Sequence, residues 1–351
     1  MTDVAVLILH PAPGGRAGSL KVWVAEARAA FAEWQRAAFL AAGADTVTIV
    51  GGPPDERTFG SRIRDHLAGH RARGLVVLGS GTIPLATAAD RRALVAAAAS
   101  SDHLALANNR YSADVVAISR VDDLPPIPDL ATDNALPRWL AEVAGWKVDD
   151  QRRNWRLGVD IDGPLDLALI GRRTWLPAPP PGTLDAVSDR LAAIRSVGRD
   201  ARAELLVAGR VSAAGLAWLE RATASRTRAL IEERGLRTRV AGQRAARSSL
   251  GLLLDRDGPG ALGRLLAELG DAALVDSRVL LAHRLGADER DWPGPADRFA
   301  SDLLLPGGIG DPWLRELTAS AAEAPIPVVL GGHTLVGPGL RLALTDGRPW
   351  T

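Results

Sequence analysis

Asp160 and Asp162 stand two residues apart in the stretch Gly158-Val159-Asp160-Ile161-Asp162-Gly163-Pro164-Leu165-Asp166-Leu167. The Val159-Asp160-Ile161 run reads as a strand entering an acidic turn. Pro164 then opens a helix at the position where its fixed φ and missing donor cost nothing. Carboxylates on such a turn can hold a hard divalent cation, which takes oxygen ligands. Strand ends of α/β sheets are also where ligands bind. The plainer reading of the same residues makes Asp162 a helix cap and leaves Asp160 as a solvated carboxylate.

A second candidate is the loop from His10 to Lys21, His-Pro-Ala-Pro-Gly-Gly-Arg-Ala-Gly-Ser-Leu-Lys. Gly14 and Gly15 let backbone amides approach phosphate oxygens, and Arg16 and Lys21 can neutralise them. The spacing is neither GxxxxGK[ST] nor GxGxxG, so a plain loop is the alternative. His10 itself reads as an ordinary loop residue. Asn108 and Asn109 offer paired donors and acceptors at a strand end, enough to read a base or sugar edge. Asparagine also tolerates left-handed turns, so a structural turn competes with that reading. Near the C-terminus, Gly331-Gly332-His333-Thr334 follows an apolar run, where backbone amides and one imidazole can meet an anion or a sugar; a lone histidine is as readily structural. The chain contains no HExxH, GxSxG or paired Cys/His pattern.

These residues need a scaffold. The 351 residues exceed ordinary single-domain size, so two domains are expected. Apolar residues make up 47% and charged residues 24%, enough for sizeable cores. A formal net charge of +1 gives no global field to recruit nucleic acid or an anionic membrane. Zero cysteines exclude disulfides, thiolate metal sites and a thiol nucleophile. No apolar run of spanning length lacks charges, and no basic region precedes the first apolar strand. A soluble, cytoplasmic protein with small-molecule partners is expected, with homo-oligomerisation left open.

The pattern along the first half alternates strand, loop and helix. Val4 to Leu9, Thr46 to Val50, Gly74 to Leu78, Leu104 to Ala107 and Val115 to Ile118 read as short buried strands. Helices are expected from Val22 to Ala42, around Ser61 to His70 and from Thr87 to Ala99. Phe31, Trp34 and Phe39 read as core. The alternation predicts a parallel sheet covered on both faces.

Three stretches of this half resemble the MobA-like NTP transferases, nucleotidyltransferases of GT-A type. They are the strand followed by GGRAGSLK, the strand end running into Thr82-Ile83-Pro84-Leu85, and Asp160-Ile161-Asp162-Gly163-Pro164-Leu165-Asp166-Leu167. The resemblance covers about the first half of the chain. It implies a Rossmann-like three-layer GT-A domain over residues 1–175 that takes an NTP and a small-molecule acceptor. Gly14, Gly15, Gly79, Ser80, Gly81, Thr82, Asn108 and Asn109 would bind the nucleotide. Arg16 and Lys21 would act on the triphosphate, and Asp160 and Asp162 would hold Mg²⁺. The reaction would be in-line attack on the α-phosphorus with pyrophosphate leaving. Two departures stand out. Thr82 occupies the place of the family's first metal-binding Asp, and His-Pro-Ala-Pro replaces a Leu-Ala-Gly-Gly-like run. They make a catalytically degenerate nucleotide-binding or scaffold protein the first alternative. A sugar transferase using a nucleotide sugar is the second.

Residues 176–183, rich in proline, read as a stiff linker. A second α/β domain is expected over 184–351. Its elements are a helix from Leu184 to Arg195, a strand from Ala203 to Ala208, a long helix from Ala213 to Glu233, and strands at Ala272 to Asp276 and Ile326 to Leu330. The basic stretch from Gly235 to Ser249 reads as a loop or lid. The segment from Asp288 to Asp302, dense in acid and arginine, reads equally as a site or an ion-paired loop. Gly331, Gly332, His333 and Thr334 are this domain's candidate ligand residues.

Overall fold

Val4, Val6 and Ile8 face one way along the first strand and Ala5 and Leu7 the other, and all five are buried. This is the two-residue period of a strand covered on both faces. In the computed structural model, which describes residues 3–11, 18–52, 56–69, 72–232 and 244–345, that strand is β1 (Val4–Pro11). It joins β2 (Thr46–Gly52), β3 (Gly74–Gly79), β4 (Leu104–Ala107), β5 (Val115–Ile118) and β6 (Lys147–Asp150) in one sheet, ordered β2-β1-β3-β5-β4-β6.

Contacts group the chain into two units. The first comprises Met1–Arg16, Ala25–Ile161 and Arg173–Pro177; the second comprises Ala17–Val24, Asp162–Arg172 and Ala178–Thr351. In the first, Val4, Val6 and Ile8 pack with Ala32 and Phe39 of helix α1 (Ser19–Ala41) and with Leu94 and Val95 of helix α3 (Ala88–Ala98). Ala5 and Leu7 pack on the opposite face with Ile63 of helix α2 (Phe59–Gly69), Leu136, Leu140 and Trp146. The result is three layers. Phe31 and Phe39 are core as expected, but Trp34 is 37% exposed, stacked on Phe31 at 5.7 Å between ring centroids.

The sheet is mixed, not parallel throughout as expected. β1 runs parallel to β2 and β3, and β4 parallel to β6, but β5 is antiparallel to both β3 and β4. The reason is the connection: residues 108–114 are too few for a crossover, which needs a dozen or more, so β5 folds back beside β4 as a hairpin partner. The chain leaves β1 for β2 on one side and returns to β3 on the other. That reversal puts a topological switch point at the carboxyl ends of β1 and β3.

The second unit is built on β7 (Glu204–Gly209), β8 (Arg226–Ile231), β9 (Ala272–Asp276) and β10 (Val328–Gly331), all parallel and ordered β10-β9-β7-β8. One face buries Leu206, Ala273, Val275 and Leu330 against Leu250, Leu254, Leu314 and Leu317 of the helices Ser249–Asp257 and Pro312–Ala322. The long helix expected to Glu233 stops at Ala222, and β8 takes the rest. Its Arg226-Thr227-Arg228 alternation exposes the arginines and half-buries the threonine, a pattern suited to an edge strand, where charge is tolerated. The helix Pro164–Ile170 also belongs here, burying Leu165, Leu167, Leu169 and Ile170, so the unit boundary falls at Ile161 as well as at Pro177. Among the described residues no helix is long and apolar enough to cross a membrane.

Gly209 ends β7 with φ +128°, and a Cβ there would lie 2.3 Å from the Cβ of Asp276. Gly209→Ala therefore combines backbone strain with a clash. It is expected to lower unfolding free energy by about 2–3 kcal/mol in a denaturant titration.

Candidate functional site

At the β1/β3 switch point the backbone N–H of Ser80 donates to Leu9 O at 2.9 Å, closing the two strand ends together. The side chains meet as well: His10 Nδ1 and Ser80 Oγ lie 3.0 Å apart. Burial, and then the charge of Arg28, hold the His10 imidazole below the usual histidine range. The loop that follows β3 pairs with the stretch leading to the acidic turn. Ile83 N donates to Val159 O and Ile161 N to Gly81 O, both at 3.1 Å, so Thr82 and Asp160 face each other in an antiparallel bridge. A Cβ on Gly81 would meet Ile161 O at 2.9 Å and Asp160 Oδ1 at 3.0 Å. Only glycine lets the two stretches come this close. Gly79, Ser80, Gly81, Thr82 and Asp160 are therefore brought together.

A buried clamp holds this loop. Gln35 Nε2, from α1, donates to Thr82 O at 2.8 Å. Its Oε1 accepts from Arg91 Nε at 3.1 Å and from another Arg91 guanidinium nitrogen at 3.0 Å, and Arg91 also donates to Ala86 O at 2.5 Å. Gln35 and Arg91 are essentially inaccessible to water, and burial pulls the Arg91 guanidinium down to about 10. The clamp grips both sides of Ile83, which is fully buried at φ +55°. A β-branched residue there is a genuine backbone outlier, and such strain concentrates at functional sites. Arg91→Met would leave Gln35 Oε1 and Ala86 O buried without their donor, with an expected loss of about 2–3 kcal/mol in thermal or urea unfolding.

Several expected residues stand elsewhere. Gly14, Gly15 and Arg16 lie outside the described residues. Lys21 is half-buried in the first turns of α1, on the segment grouped with the second unit. Asn108 is committed to the hairpin: its Oδ1 accepts from Asp114 N at 2.9 Å and Val115 N at 3.3 Å, and its Nδ2 donates to Asp114 Oδ2 and Leu157 O. That is the turn-building role rather than base reading. Asn109 Oδ1 accepts from Tyr111 N at 3.0 Å in the same turn. Asp162 is exposed and belongs to the second unit.

The donor set bears on the implied metal. Asp160 supplies one carboxylate, whose Oδ1 already accepts from Ile161 N at 2.9 Å, with the Thr82 backbone paired opposite it. Among the described residues no group of three His, Cys, Asp or Glu side chains is placed to hold an ion. One carboxylate fits Mg²⁺ that arrives with a triphosphate, because Mg²⁺ keeps waters and takes substrate phosphates as ligands. It does not fit a resident ion in an all-protein cage.

The second unit gathers charge at its own strand ends. Arg210, just past β7, makes a bidentate pair with Asp276 at the end of β9, at 2.5 and 3.0 Å. Arg278 makes another with Asp302, at 2.5 and 2.6 Å. Asp276 and Asp302 are almost completely buried. Burial alone would raise Asp276, but Arg210 holds it below the usual carboxylate range, with His333 adding to the effect. Burial raises Asp302 despite Arg278. Asp166 Oδ2 accepts from Asp162 N at 2.8 Å and Gly163 N at 2.7 Å, yet burial and then the Asp162 charge push it up to about 8. Among the expected ligand residues, Gly331 ends β10, Gly332 lies beside Arg278, His333 is exposed and Thr334 is buried.

No protein-family model matches the chain, and no curated protein matches it significantly. The site therefore stands on its geometry. Sequence reasoning missed His10 as a partner of Ser80, and missed Gln35 and Arg91 altogether. Their signal, polar residues inside an alanine-rich helical pattern, is weak without knowing which helix face is buried. Arg210, Asp276, Arg278 and Asp302 each follow or end an apolar run or lie in the acid-rich segment. Their pairing was not readable because it joins elements up to 66 residues apart.

Proposed function

We propose that the first unit is a nucleotide-binding domain of GT-A type that transfers a nucleotidyl group from an NTP to a small acceptor. The observation that carries this reading is the Thr82–Asp160 bridge packed against Gly81 at the switch point. It joins two of the three stretches that resemble the MobA-like transferases at the place where open α/β sheets take their ligands. The β2-β1-β3 arrangement, with helices on both faces, supports the Rossmann-like part of that reading.

On this reading Gly79 to Thr82 line the nucleotide, and Gly81 allows the close approach. Asp160 would hold a Mg²⁺ brought in with the triphosphate, which would supply charge neutralisation at the phosphates. Gln35 and Arg91 fix Thr82 and Ile83 so that the loop does not reorganise when the ligand arrives. The acceptor oxygen attacks the α-phosphorus in line, the bond to the bridging oxygen breaks, and pyrophosphate leaves with the electron pair. Such chemistry is largely positioning and charge neutralisation.

The hydroxyl at position 82 favours a second reading, a binding protein that holds the nucleotide without turnover. A single experiment separates the readings. The chain is incubated with each α-labelled NTP, Mg²⁺ and a small-molecule extract. A newly labelled compound formed with an equal amount of pyrophosphate supports transfer. Binding with no pyrophosphate supports the second reading, and no binding of any NTP refutes both.

A further inference from the structure

His10 does not behave as a loop residue: it is half-buried at the end of β1 and is tied to Ser80 of the neighbouring strand end. The pair also has a direction. Ser80 is 3% exposed, and a buried hydroxyl hydrogen needs an acceptor. The acceptor that the structure sets within reach is His10 Nδ1, at 3.0 Å. With Nδ1 accepting, a neutral ring must carry its proton on Nε2. Burial and then the charge of Arg28 both disfavour a second proton on the ring.

We propose that Ser80 locks His10 as a neutral Nε2–H donor that binds a phosphoryl oxygen of the nucleotide at the β1/β3 switch point. Three observations converge on this. The ring sits where the sheet takes ligands. Arg28 Nε donates to Ile161 O at 2.7 Å beside Gly81, which puts a cation at the same strand ends. The Ser80 hydroxyl, donating to Nδ1, favours the tautomer with its proton on Nε2, the reverse of a carboxylate or carbonyl, which accepts from Nδ1–H. The residue at position 10 thus does by side chain part of what the Gly-rich loop is expected to do by backbone amides. This inference rests on the nucleotide-binding reading above, and the test keeps the two apart.

The intact chain is labelled with ¹⁵N-histidine, and the His10 resonances are assigned by their loss in His10→Phe. At pH 7 the proposal expects a neutral ring with the proton on Nε2. In Ser80→Ala it expects the proton to redistribute between the two nitrogens. A ring protonated on Nδ1, or doubly protonated, overturns the proposal. In parallel, NTP affinity is measured by calorimetry. Relative to wild type, His10→Phe is expected to bind about 10- to 100-fold more weakly, matching loss of a hydrogen bond to a charged group. His10→Gln, which keeps an N–H donor at similar reach, should recover most of the loss. Wild type that binds an NTP and a His10→Phe variant that binds it equally well overturn this inference alone. Wild type that binds no NTP overturns it together with the proposed function. Superimposable thermal unfolding of wild type and variants is the control that excludes a folding defect.

Discussion

Asp160→Asn is expected to reduce NTP-dependent pyrophosphate release by at least about a thousand-fold, with the fold retained. The asparagine oxygen keeps the acceptor that takes Ile161 N, and the Thr82 bridge is made by backbone alone, so both of these contacts survive the substitution. What disappears is the negative charge. On the proposed reading Asp160 is the carboxylate that would take Mg²⁺, and a neutral amide oxygen is a far poorer ligand for a hard cation. Losing the charge neutralisation that drives phosphoryl chemistry costs on the order of several kcal/mol in the barrier. The check is a steady-state pyrophosphate assay beside a circular dichroism melt. Unchanged turnover with an unchanged melt would show that Asp160 holds no catalytic ion.

The second large effect is in stability. Burial, and then the charge of Asp162, push the Asp166 carboxyl up to about 8 in the folded protein, while two backbone amides pull it the other way. In the unfolded chain a carboxyl titrates near ~3.9. Between those values the folded state binds the extra proton. The Asp166 contribution to stability is thus fully present below about pH 4 and lost as pH rises through about 8. Asp166→Asn removes the titration while keeping an oxygen to accept from Asp162 N and Gly163 N. At pH 9 the variant is expected to be more stable than wild type, on the order of 3–5 kcal/mol, with little difference at pH 4. Asp302, also raised by burial, adds a slope of the same sign to both proteins, so the difference between the two urea curves is the quantity to read. A variant less stable than wild type at pH 9 would mean that Asp166 is ionised and its two amide donors outweigh burial.

Much of the fold was legible because it is written in local pattern. The continuous apolar runs at Val4, Gly74 and Ala272 are buried strands, and the helices between them follow from periodicity; the structure adds that Thr87 caps its helix in a capping box with Asp90. What local pattern did not carry was direction and partnership. The antiparallel course of β5 follows from the short 108–114 connection, which was visible but was outweighed by the strand–helix rhythm. The Arg226–Ile231 strand was hidden because its arginines also fit a helix surface, and only its place at the sheet edge makes the alternation meaningful. The same limit applies to the site. Gly81 and Asp160 were picked out by motif, but the Gln35–Arg91 clamp and the His10–Ser80 pair join residues 56 and 70 positions apart, which a single sequence does not report. Asn108 shows the converse: a residue that looked like part of a reading head uses its amide to build the turn that reverses the chain.

The most direct test of the account is the thermal stability of the chain with each of the four NTPs, with and without Mg²⁺. A ligand that binds the native state stabilises it by mass action, by about 2.7 kcal/mol at a hundred times its Kd. One NTP is expected to raise the melting temperature by several degrees, with most of the rise requiring Mg²⁺. No shift with any NTP, in either condition, would contradict it.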